Sequence, residues 1–328
     1  MFKTIRSSTS VAVVAFGLAA LASACSEQVL EADNAAINNG KIYRRGADEP
    51  FSGKATNIPE KVVLPEQARF RFLSPLRAMV KDTQVLNRYF GAFSFCDVQV
   101  KEGVLSGEAA CKYPNSESKR YEASFESGRL NGALTMYAEP PANFVVVSAN
   151  FVNGQMQGPE EAFSPETGKR IWRGTWEGGV LNGEETAWDA QTGNVVGKAT
   201  YRAGRAVGET VRYAADGKTV IYRATLENGL LNGAEDTFDE DTGRPLKHVE
   251  WKEGKKNGSM REWDRHGNLV AEADCQDDMC HLRPRATQAD PNEGVGCVQR
   301  WINAFRKESG EQAAIAPDQI AERSQHPH

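Results

Sequence analysis

The sequence of 328 residues predicts an all-β fold, an elongated antiparallel array of β-hairpin repeats with an N-terminal cap and a short C-terminal helix. Three observations predict it. A pair of glycines four residues apart recurs seven times, apolar and mostly aromatic residues flank each pair at fixed distances, and turn signals with Asp and Gly separate the copies. Each period therefore contains two short strands and two turns.

The glycine pairs set the length of the repeat. In the stretch WEGGVLNGEETAW the pair is Gly179 and Gly183, and the first glycine recurs every 25 or 26 residues. A phosphate-binding loop needs a Gly-x-x-x-x-Gly-Lys-Ser/Thr pattern, which no copy has, so the glycines indicate turns. The seven pairs are Gly103 and Gly107, Gly128 and Gly132, Gly154 and Gly158, Gly179 and Gly183, Gly204 and Gly208, Gly229 and Gly233, and Gly254 and Gly258.

Two columns of mostly apolar residues flank the pairs, one three residues before the first glycine and one five residues after the second. In the first copy Lys112 occupies the second column, and Tyr113 is one place late. Their plainest interpretation is the core of the array. Because a single-layered sheet cannot bury both faces by itself, some of the rings are also expected to line an exposed binding face. The candidate binding-face aromatics are Trp176, Trp188, Tyr201, Tyr213, Phe238, Trp251 and Trp263.

The register of each hairpin has two possible solutions. A two-residue turn places Gly183 opposite Gly174, whereas a four-residue turn places it opposite Trp176 and brings Cys96 opposite Cys111. We favour the four-residue register, because aromatic and β-branched residues then pair across strands, at ~0.2–1 kcal/mol per pair, and a ring covers each second glycine. A bulge at the second glycine would reconcile the two registers.

The N-terminus has the features of an export signal. A positive start with Lys3 and Arg6 precedes the apolar run VAVVAFGLAALASAC, which is too short to span a bilayer comfortably. The end of this run resembles a bacterial lipoprotein cleavage site, with Cys25 as the lipidated residue. An ordinary secreted protein and an uncleaved anchor are the alternatives. We therefore assign 1–24 to a lipoprotein signal peptide and 25–40 to a polar tether, and expect anchoring at the outer membrane of a bacterial envelope.

The remaining chain divides around the repeats. Residues 41–95 are predicted to cap the array, with a short strand at 69–73 and a helix that begins at Ser74-Pro75 and runs to about Arg88. The seven repeats and a degenerate eighth span 96–281, and a linker spans 282–294. In 295–328 the helical spacing of Val298, Ile302 and Phe305 predicts a C-terminal helical segment and tail.

The cysteines are interpreted from the oxidising compartment that export implies. The candidates for disulfides are Cys96, Cys111, Cys275, Cys280 and Cys297, an odd number, so one has no partner within the set. The hairpin register pairs Cys96 with Cys111. Among the other three we favour a disulfide over a zinc site that includes His281, because the first two thiols are wider apart than in common zinc motifs. Which two of the three pair stays open.

Other chemistry receives little support from the sequence. The formal charge of −5 and the lack of a basic block argue against a nucleic-acid partner. Paired carboxylates such as Glu184 and Glu185 fall on turns or strand faces of a repeat rather than across a cleft. No catalytic motif surrounds the histidines, and we expect no catalytic residue, no metal and no small-molecule cofactor.

The pattern of an aromatic residue, Gly-x-x-x-Gly and a second aromatic residue resembles the MORN repeat and its bacterial variant. The segment NGKIYRRGADEPFSGKAT at 39–56 is similar to the start of bacterial MORN-variant proteins, with Tyr43 and the Pro-Phe-Ser-Gly run at 50–53. Such proteins are described as YwqK-type and antitoxin-like. The resemblance covers about 39–56 and 96–268, and it implies a MORN-like architecture more strongly than a function.

These observations lead to one expected function and several alternatives. We expect a non-enzymatic envelope lipoprotein whose array is a protein-binding scaffold, held to the membrane by its N-terminal lipid. One alternative, implied by the resemblance, is an antitoxin-like or immunity protein that neutralises a toxin by binding. A second is a module that binds the membrane-lipid surface, which the acidic balance does not favour. A third is an envelope enzyme.

Overall fold

The structure is a computed structural model that describes residues 28–283, except 65–67, 69, 70, 81, 82, 92 and 93. Its strands form one long sheet, beside which lies a separate two-stranded sheet. From β4 onwards, the strands of the long sheet follow one another as an antiparallel meander, and only β1 adds in parallel, against β4. The prediction of an all-β, elongated hairpin array is therefore confirmed.

The first part of the chain combines short strands with helices. Its strands are β1 (Val29–Glu31), β2 (Ala35–Asn38), β3 (Lys41–Arg44) and β4 (Gly53–Pro59), and its helices are a 3-10 turn (Ala32–Asn34), α1 (Glu60–Val63), α2 (Ser74–Met79) and α3 (Thr83–Phe90).

The first three repeats and part of the fourth contain β5 (Phe95–Lys101), β6 (Val104–Lys112), β7 (Lys119–Glu126), β8 (Arg129–Tyr137), β9 (Val145–Val152), β10 (Gln155–Met156), β11 (Gly158–Phe163) and β12 (Arg170–Glu177). The array continues with β13 (Val180–Leu181), β14 (Gly183–Trp188), β15 (Val195–Arg202), β16 (Arg205–Ala206), β17 (Gly208–Tyr213), β18 (Val220–Glu227), β19 (Leu230–Phe238), β20 (Pro245–Lys252), β21 (Lys255–Trp263), β22 (Leu269–Gln276) and β23 (Met279–Leu282).

Both predicted registers occur in each of the seven repeat hairpins. Near the turn, Trp176 pairs with Leu181, which is the two-residue register, and Gly178 and Gly179 have φ of +58° and +82°, as a type I′ turn requires. Farther from the turn, Trp172 pairs with Ala187, which is the four-residue register. A bulge around the second glycine shifts one register into the other, so the reconciling alternative is the one that the fold adopts.

The expected ring over Gly183 was wrong. A Cβ at this position would meet the Cβ of Thr175 at 3.3 Å, and the glycine is required because its φ is +125° in the bulge. A ring does lie over Gly174, which is not one of the paired glycines, and a Cβ there would come within 2.4 Å of Cη2 of Trp172. The second glycine of each pair is therefore a backbone requirement of the bulge.

Hydrogen bonds between successive repeats join the turns along one edge of the sheet. From Gly128 onwards, the amide of each first glycine donates to a carbonyl of the preceding repeat, as from Gly179 to Met156 at 3.0 Å and from Gly204 to Leu181 at 2.8 Å. At the opposite edge, Thr192 Oγ1 donates to the carbonyl of Ala215 in the next turn. Both edges thus fix the spacing between neighbouring repeats.

The segment expected to be a polar tether, 25–40, instead belongs to the fold where the structure describes it. Leu30, in strand β1, is 1% exposed. Strand β1 pairs with β4, the first described strand of the meander, and this pairing satisfies the backbone groups at the open edge of β4. Strand β2 pairs with β3, and the amide of Ile42 donates to the carbonyl of Gly103 at 2.8 Å. The sequence missed this because the apolar residues of the segment are few.

A helical layer covers one face of the first half of the array. The predicted helix from Ser74 to Arg88 is interrupted at Val80, whose backbone is extended, and forms α2 and α3. The expected strand at 69–73 was also wrong, since Arg71 and Phe72 are helical. Helix α1 contacts β4, β5 and β6, and α2 contacts β11 and β12. The helices thus bury the strands of the first half from one side.

Arg120 ties the helical layer to the sheet. It is the extra residue of a bulge in β7, where Cys111 pairs with Tyr121 and Lys112 with Lys119. Its guanidinium donates to the carbonyls of Arg88, Tyr89 and Gly91 and lies 3.4 Å from Oε2 of Glu60. Because both charged side chains are almost fully buried, this pair fixes where the end of α3 and the start of α1 lie.

The array ends in an eighth hairpin, formed by β22 and β23, with Asp277 and Asp278 at positive φ in the place of the usual turn residues. The predicted signal peptide, Cys25, Cys297 and the C-terminal helical segment lie outside the described residues, as do nearly all residues of the expected linker.

Candidate binding surfaces of the array

The two predicted aromatic columns lie on opposite faces of the sheet. Trp176, Tyr201 and Trp251 belong to the first column and pair with the second glycines Gly158, Gly183 and Gly233. Trp188 belongs to the second column and follows Ala187, which pairs with Trp172 on the face of the first column. Because side chains alternate along a strand, Trp188 points to the other face, as do its equivalents Tyr213, Phe238 and Trp263. The seven candidate aromatics therefore do not form one binding face.

The inner face is defined by a row of mostly small residues in the middle of the strands, which cross-strand pairing places side by side. It includes Ala123, Ala149, Ala224, Val249, Met260 and Ala273, each at most 3% exposed. In the first half, the helical layer covers this row. In the second half, the residues of the flanking rows, such as Leu226, Tyr222 and Trp251, cover it instead. The inner face is thus mainly a core.

Three carboxylates interrupt the inner row, and each accepts a hydrogen bond from an aromatic side chain. Trp176 Nε1 donates to Glu160 at 2.8 Å, and Trp172 Nε1 donates to Glu185 at 2.6 Å. Glu235 accepts from Trp251 Nε1 at 3.0 Å and from the hydroxyl of Tyr222 at 3.1 Å. These bonds satisfy indole and phenol donors where the rings are half-buried, so this arrangement supports a structural role.

Glu160 is the most perturbed of the three. Its side chain is fully buried, and its Oε1 has no hydrogen-bond partner. Burial raises the pKa of this carboxyl well above its ordinary value, and the bond from Trp176 opposes the rise only partly. Glu160 and Glu185 lie on either side of Gly174, but the ring of Trp172 occupies the space between them. The pair therefore does not flank an open cleft of the kind that hydrolysis of a glycosidic bond requires.

The outer face carries a continuous apolar stripe along the edge with the Asp- and Gly-containing turns. Each ring of the second column pairs with a residue of the next strand, and most of the rings and partners are only half-buried. The structure pairs Phe163 with Arg170, Trp188 with Val195, Tyr213 with Val220, Phe238 with Pro245, and Trp263 with Leu269. We call these ten residues the outer aromatic stripe. The sequence predicted the rings of the stripe but not their separation from the first column.

Charged side chains surround the stripe and differ between its ends. At one end, the guanidinium of Arg170 lies 5.9 Å from the ring centre of Phe163 and 5.5 Å from that of Trp188. Nearer the other end, the turn after Phe238 contains Asp239, followed by the exposed Glu240 and Asp241. Both ends also carry the opposite charge, since Arg170 lies 3.0 Å from Glu161, and Arg223, which stacks on Phe238 at 5.9 Å, lies 2.9 Å from Asp236. The exposed carboxylates of Glu240 and Asp241 distinguish the end near Phe238.

A row of ion pairs runs across the outer face beside the stripe. Asp236 lies 2.9 Å from Nη2 of Arg223 and 2.7 Å from Nδ1 of His248. Burial alone would raise the pKa of Asp236, but the hydrogen bonds from His248 and Arg223 outweigh it and lower the pKa. His248 thus has a carboxylate partner, and Arg223 also lies 3.8 Å from Glu209, so the row is a network of ion pairs.

A shallow groove lies on the outer face near the glycine turns. It has a volume of about 560 Å³, and its charged lining residues are Arg202, Glu209 and Glu227. Because charged and polar groups dominate its lining, it lacks the apolar walls that small-molecule pockets usually have. It does not coincide with the outer aromatic stripe, which runs along the opposite edge of the strands.

The structure decides the cysteine pairing within its described residues. Cys96 and Cys111 form a disulfide across β5 and β6, as predicted, and Cys275 and Cys280 form a second one across β22 and β23. This second pairing resolves the open choice among the three C-terminal cysteines. Within residues 28–283, apart from the gaps given above, no cluster of His, Cys, Asp and Glu is suited to hold a metal ion. In the same part of the chain, no helix has the length and apolarity to cross a bilayer.

Comparisons with known proteins add little. No family model matches the chain, and no curated protein matches it. One matching solved structure is that of an S. aureus TarM mutant in complex with fondaparinux, alpha-GlcNAc-glycerol and UDP, at 10% identity and a TM-score of 0.23. The match covers 42% of this chain and 26% of the other. A likeness at this TM-score carries no argument about fold or function.

Proposed function

We propose that the protein is a non-enzymatic scaffold that binds a protein partner along the outer face of its repeat array. The observation that carries the proposal is the outer aromatic stripe, in which half-exposed rings are held on a rigid sheet. Residues 95–283, all of which the structure describes, form strands and turns and contribute no helix that could cover this face. Contiguous apolar surface with a polar surround is typical of protein interaction sites.

The carboxylates support the same proposal. Glu185 and Glu235 are engaged by indole and phenol donors, and Asp236 is engaged by Arg223 and His248. A general acid or base needs a place beside it for a substrate, which the ring of Trp172 fills in the case of Glu160 and Glu185. The resemblance to MORN-variant repeats is consistent with a binding role, and we propose membership in that group on the basis of the 25-residue glycine spacing.

We further propose that the protein is a lipoprotein of the bacterial envelope, with lipid on Cys25. The support is the sequence of its N-terminus, in which an apolar run ends in small residues and a cysteine. The two disulfides suit an oxidising compartment. Metabolic labelling with palmitate should mark the wild type and not Cys25→Ser. Wild-type protein that carries no palmitate label and is recovered in the cytosolic fraction would argue against this localisation.

Cross-linking in intact cells tests the scaffold proposal directly. A tagged full-length chain is cross-linked and purified under denaturing conditions, and its covalently bound partners are identified by mass spectrometry. A matched sample that expresses an unrelated tagged lipoprotein defines the background. We expect a reproducible protein partner above that background. Repeated absence of any such partner would count against the scaffold.

A further inference from the structure

The rings of the outer aromatic stripe recur at a fixed distance. Each repeat contributes one ring and two strands, and neighbouring strands lie about 4.7–4.9 Å apart, so successive rings are separated by about 9.4–9.8 Å. The intervening strands contribute Val195, Val220 and Pro245, which are smaller than the rings. The stripe therefore alternates raised rings with shallow apolar depressions at a period of one repeat.

This period matches one turn of a polyproline II helix. Such a helix has three residues per turn and rises about 3.1 Å per residue, which gives about 9.3 Å per turn. Proline-rich segments dock on aromatic-lined surfaces because their extended helix is already formed and loses little entropy on binding. A ligand in this conformation would place the same side of its helix over each successive depression.

The twist of the sheet limits how many rings one ligand can reach. Adjacent strands rotate by about 20–25°, so successive rings rotate by roughly 40–50°. After three rings the direction in which the rings point has turned by roughly a right angle, and a straight helix can no longer contact a further ring. A ligand of about nine residues is therefore the longest that gains from each added turn.

The charges beside the stripe select the orientation and the ends of the ligand. Glu240 and Asp241 are exposed beyond Phe238, where the nearby Arg223 is already paired with Asp236 at 2.9 Å, whereas Arg170 stacks on Trp188 at the opposite end. A basic residue in the ligand would be favoured beside the two acidic side chains and disfavoured beside Arg170. Charge complementarity thus points to a ligand with a basic end.

We propose that the outer aromatic stripe between Trp188 and Phe238 binds a proline-rich segment in the polyproline II conformation, with a basic residue beside Glu240 and Asp241. This inference rests on the proposed scaffold function and specifies the chemistry of its partner. It requires no conformational change in the array, because the rings are held by the strands of three consecutive repeats.

The test measures binding of synthetic peptides to the full-length mature protein by calorimetry. The probes contain six, nine or twelve prolines followed by two arginines, and glycine-serine peptides of equal length with the same two arginines are the controls. From six to nine prolines we expect affinity to rise by a factor of about 2–12, the value of one further ring contact. From nine to twelve we expect little change. Equal affinity for the proline and glycine-serine peptides would overturn the proposal.

Variants locate the site. Tyr213→Leu keeps apolar bulk in the middle of the stripe but removes the ring, and it should weaken binding of the nine-proline peptide at least fivefold. Thr225→Ala is the matched control, since Thr225 is exposed on the outer face away from the stripe and should leave affinity unchanged. Circular dichroism melts confirm that both variants are folded. Equal binding by Tyr213→Leu and the wild type would overturn the assignment.

Cellular cross-linking separates this inference from the scaffold proposal. A partner that is captured equally by the wild type and Tyr213→Leu, with no binding of the proline peptides, would overturn the inference and leave the scaffold intact. A partner lost from Tyr213→Leu and retained by Thr225→Ala would support both. No partner together with no peptide binding would count against both.

Discussion

Burial of Glu160 should make the stability of the protein fall as pH rises, and Glu160→Gln should remove this dependence. The carboxyl is fully buried, accepts one hydrogen bond from Trp176, and has a second oxygen without a partner. Burial raises its pKa well above the ordinary value of 4.5. The folded state therefore holds a proton on Glu160 at pH values where the unfolded chain has lost it.

The magnitude follows from proton linkage. Below pH 4.5 both states are protonated, and the group has no effect on the pH dependence. Between 4.5 and the raised pKa, the folded state binds about one more proton than the unfolded state, so the free energy of unfolding falls by ~1.4 kcal/mol per pH unit. Above the raised pKa the loss is complete. Glu160→Gln lacks this titration, so its stability relative to the wild type should improve by ~1.4 kcal/mol per pH unit from about pH 4.5 up to the raised pKa of Glu160.

The assay is urea unfolding followed by circular dichroism at several pH values from 4 to 8, for the wild type and Glu160→Gln. Trp176→Phe is a useful third protein, because it removes the one hydrogen bond that lowers the pKa of Glu160. In that variant the fall in stability should persist to a higher pH than in the wild type. Parallel curves for the wild type and Glu160→Gln between pH 5 and pH 7 would refute the reasoning.

Three further predictions concern the backbone, the disulfide and the helical layer. Gly183→Ala should lower the free energy of unfolding by ~1–3 kcal/mol in urea melts, because the φ of Gly183 is +125°. Gly208→Asn should cost less, because the φ of Gly208 is +74° and nothing lies within 4 Å of a Cβ there. Equal losses in the two variants would contradict the bulge argument. Replacing both Cys96 and Cys111 by Ser should cost ~3 kcal/mol by the loop-entropy estimate for their separation of 15 residues, and an unchanged thermal midpoint would contradict it. Arg120→Met should cost ~3–5 kcal/mol, because it removes the cationic partner of the buried carboxylate of Glu60, and should increase amide hydrogen exchange at the end of the third helix; unchanged exchange would show that the helix is held by other contacts.

The hairpin array could be read from the sequence because its determinants are local. Type I′ turns need positive φ at two residues, and a glycine at the second of them in seven copies marks where each hairpin turns. The pairing of Cys96 with Cys111 also followed, since the four-residue register holds in the part of the hairpin away from the turn. The sequence left the bulge as an alternative, because a glycine at the second position is compatible with the two-residue register and with the four-residue register.

The helical layer was predicted less well because its determinants are not local. Ser74 and Pro75 marked a helix start correctly, but the break at Val80 has no proline or glycine to announce it. Nothing in the sequence around Arg120 indicates that a strand bulge sends its side chain to three carbonyls of a distant helix. The few apolar residues of 28–40 also gave no sign that they pair with the sheet.

By itself, the sequence determined the class of fold, the period of the repeat and the positions of the turns, because these depend on the backbone preferences of glycine and on the alternation of apolar residues. Only the tertiary structure decided which of the two faces is covered. The bulge shifts the pairing by two residues, which leaves every side chain on its own face, so either register places the two columns on opposite faces. The inner face became a core because helices distant in sequence pack on it, as α2 does against β11 and β12, and no local pattern specifies that contact.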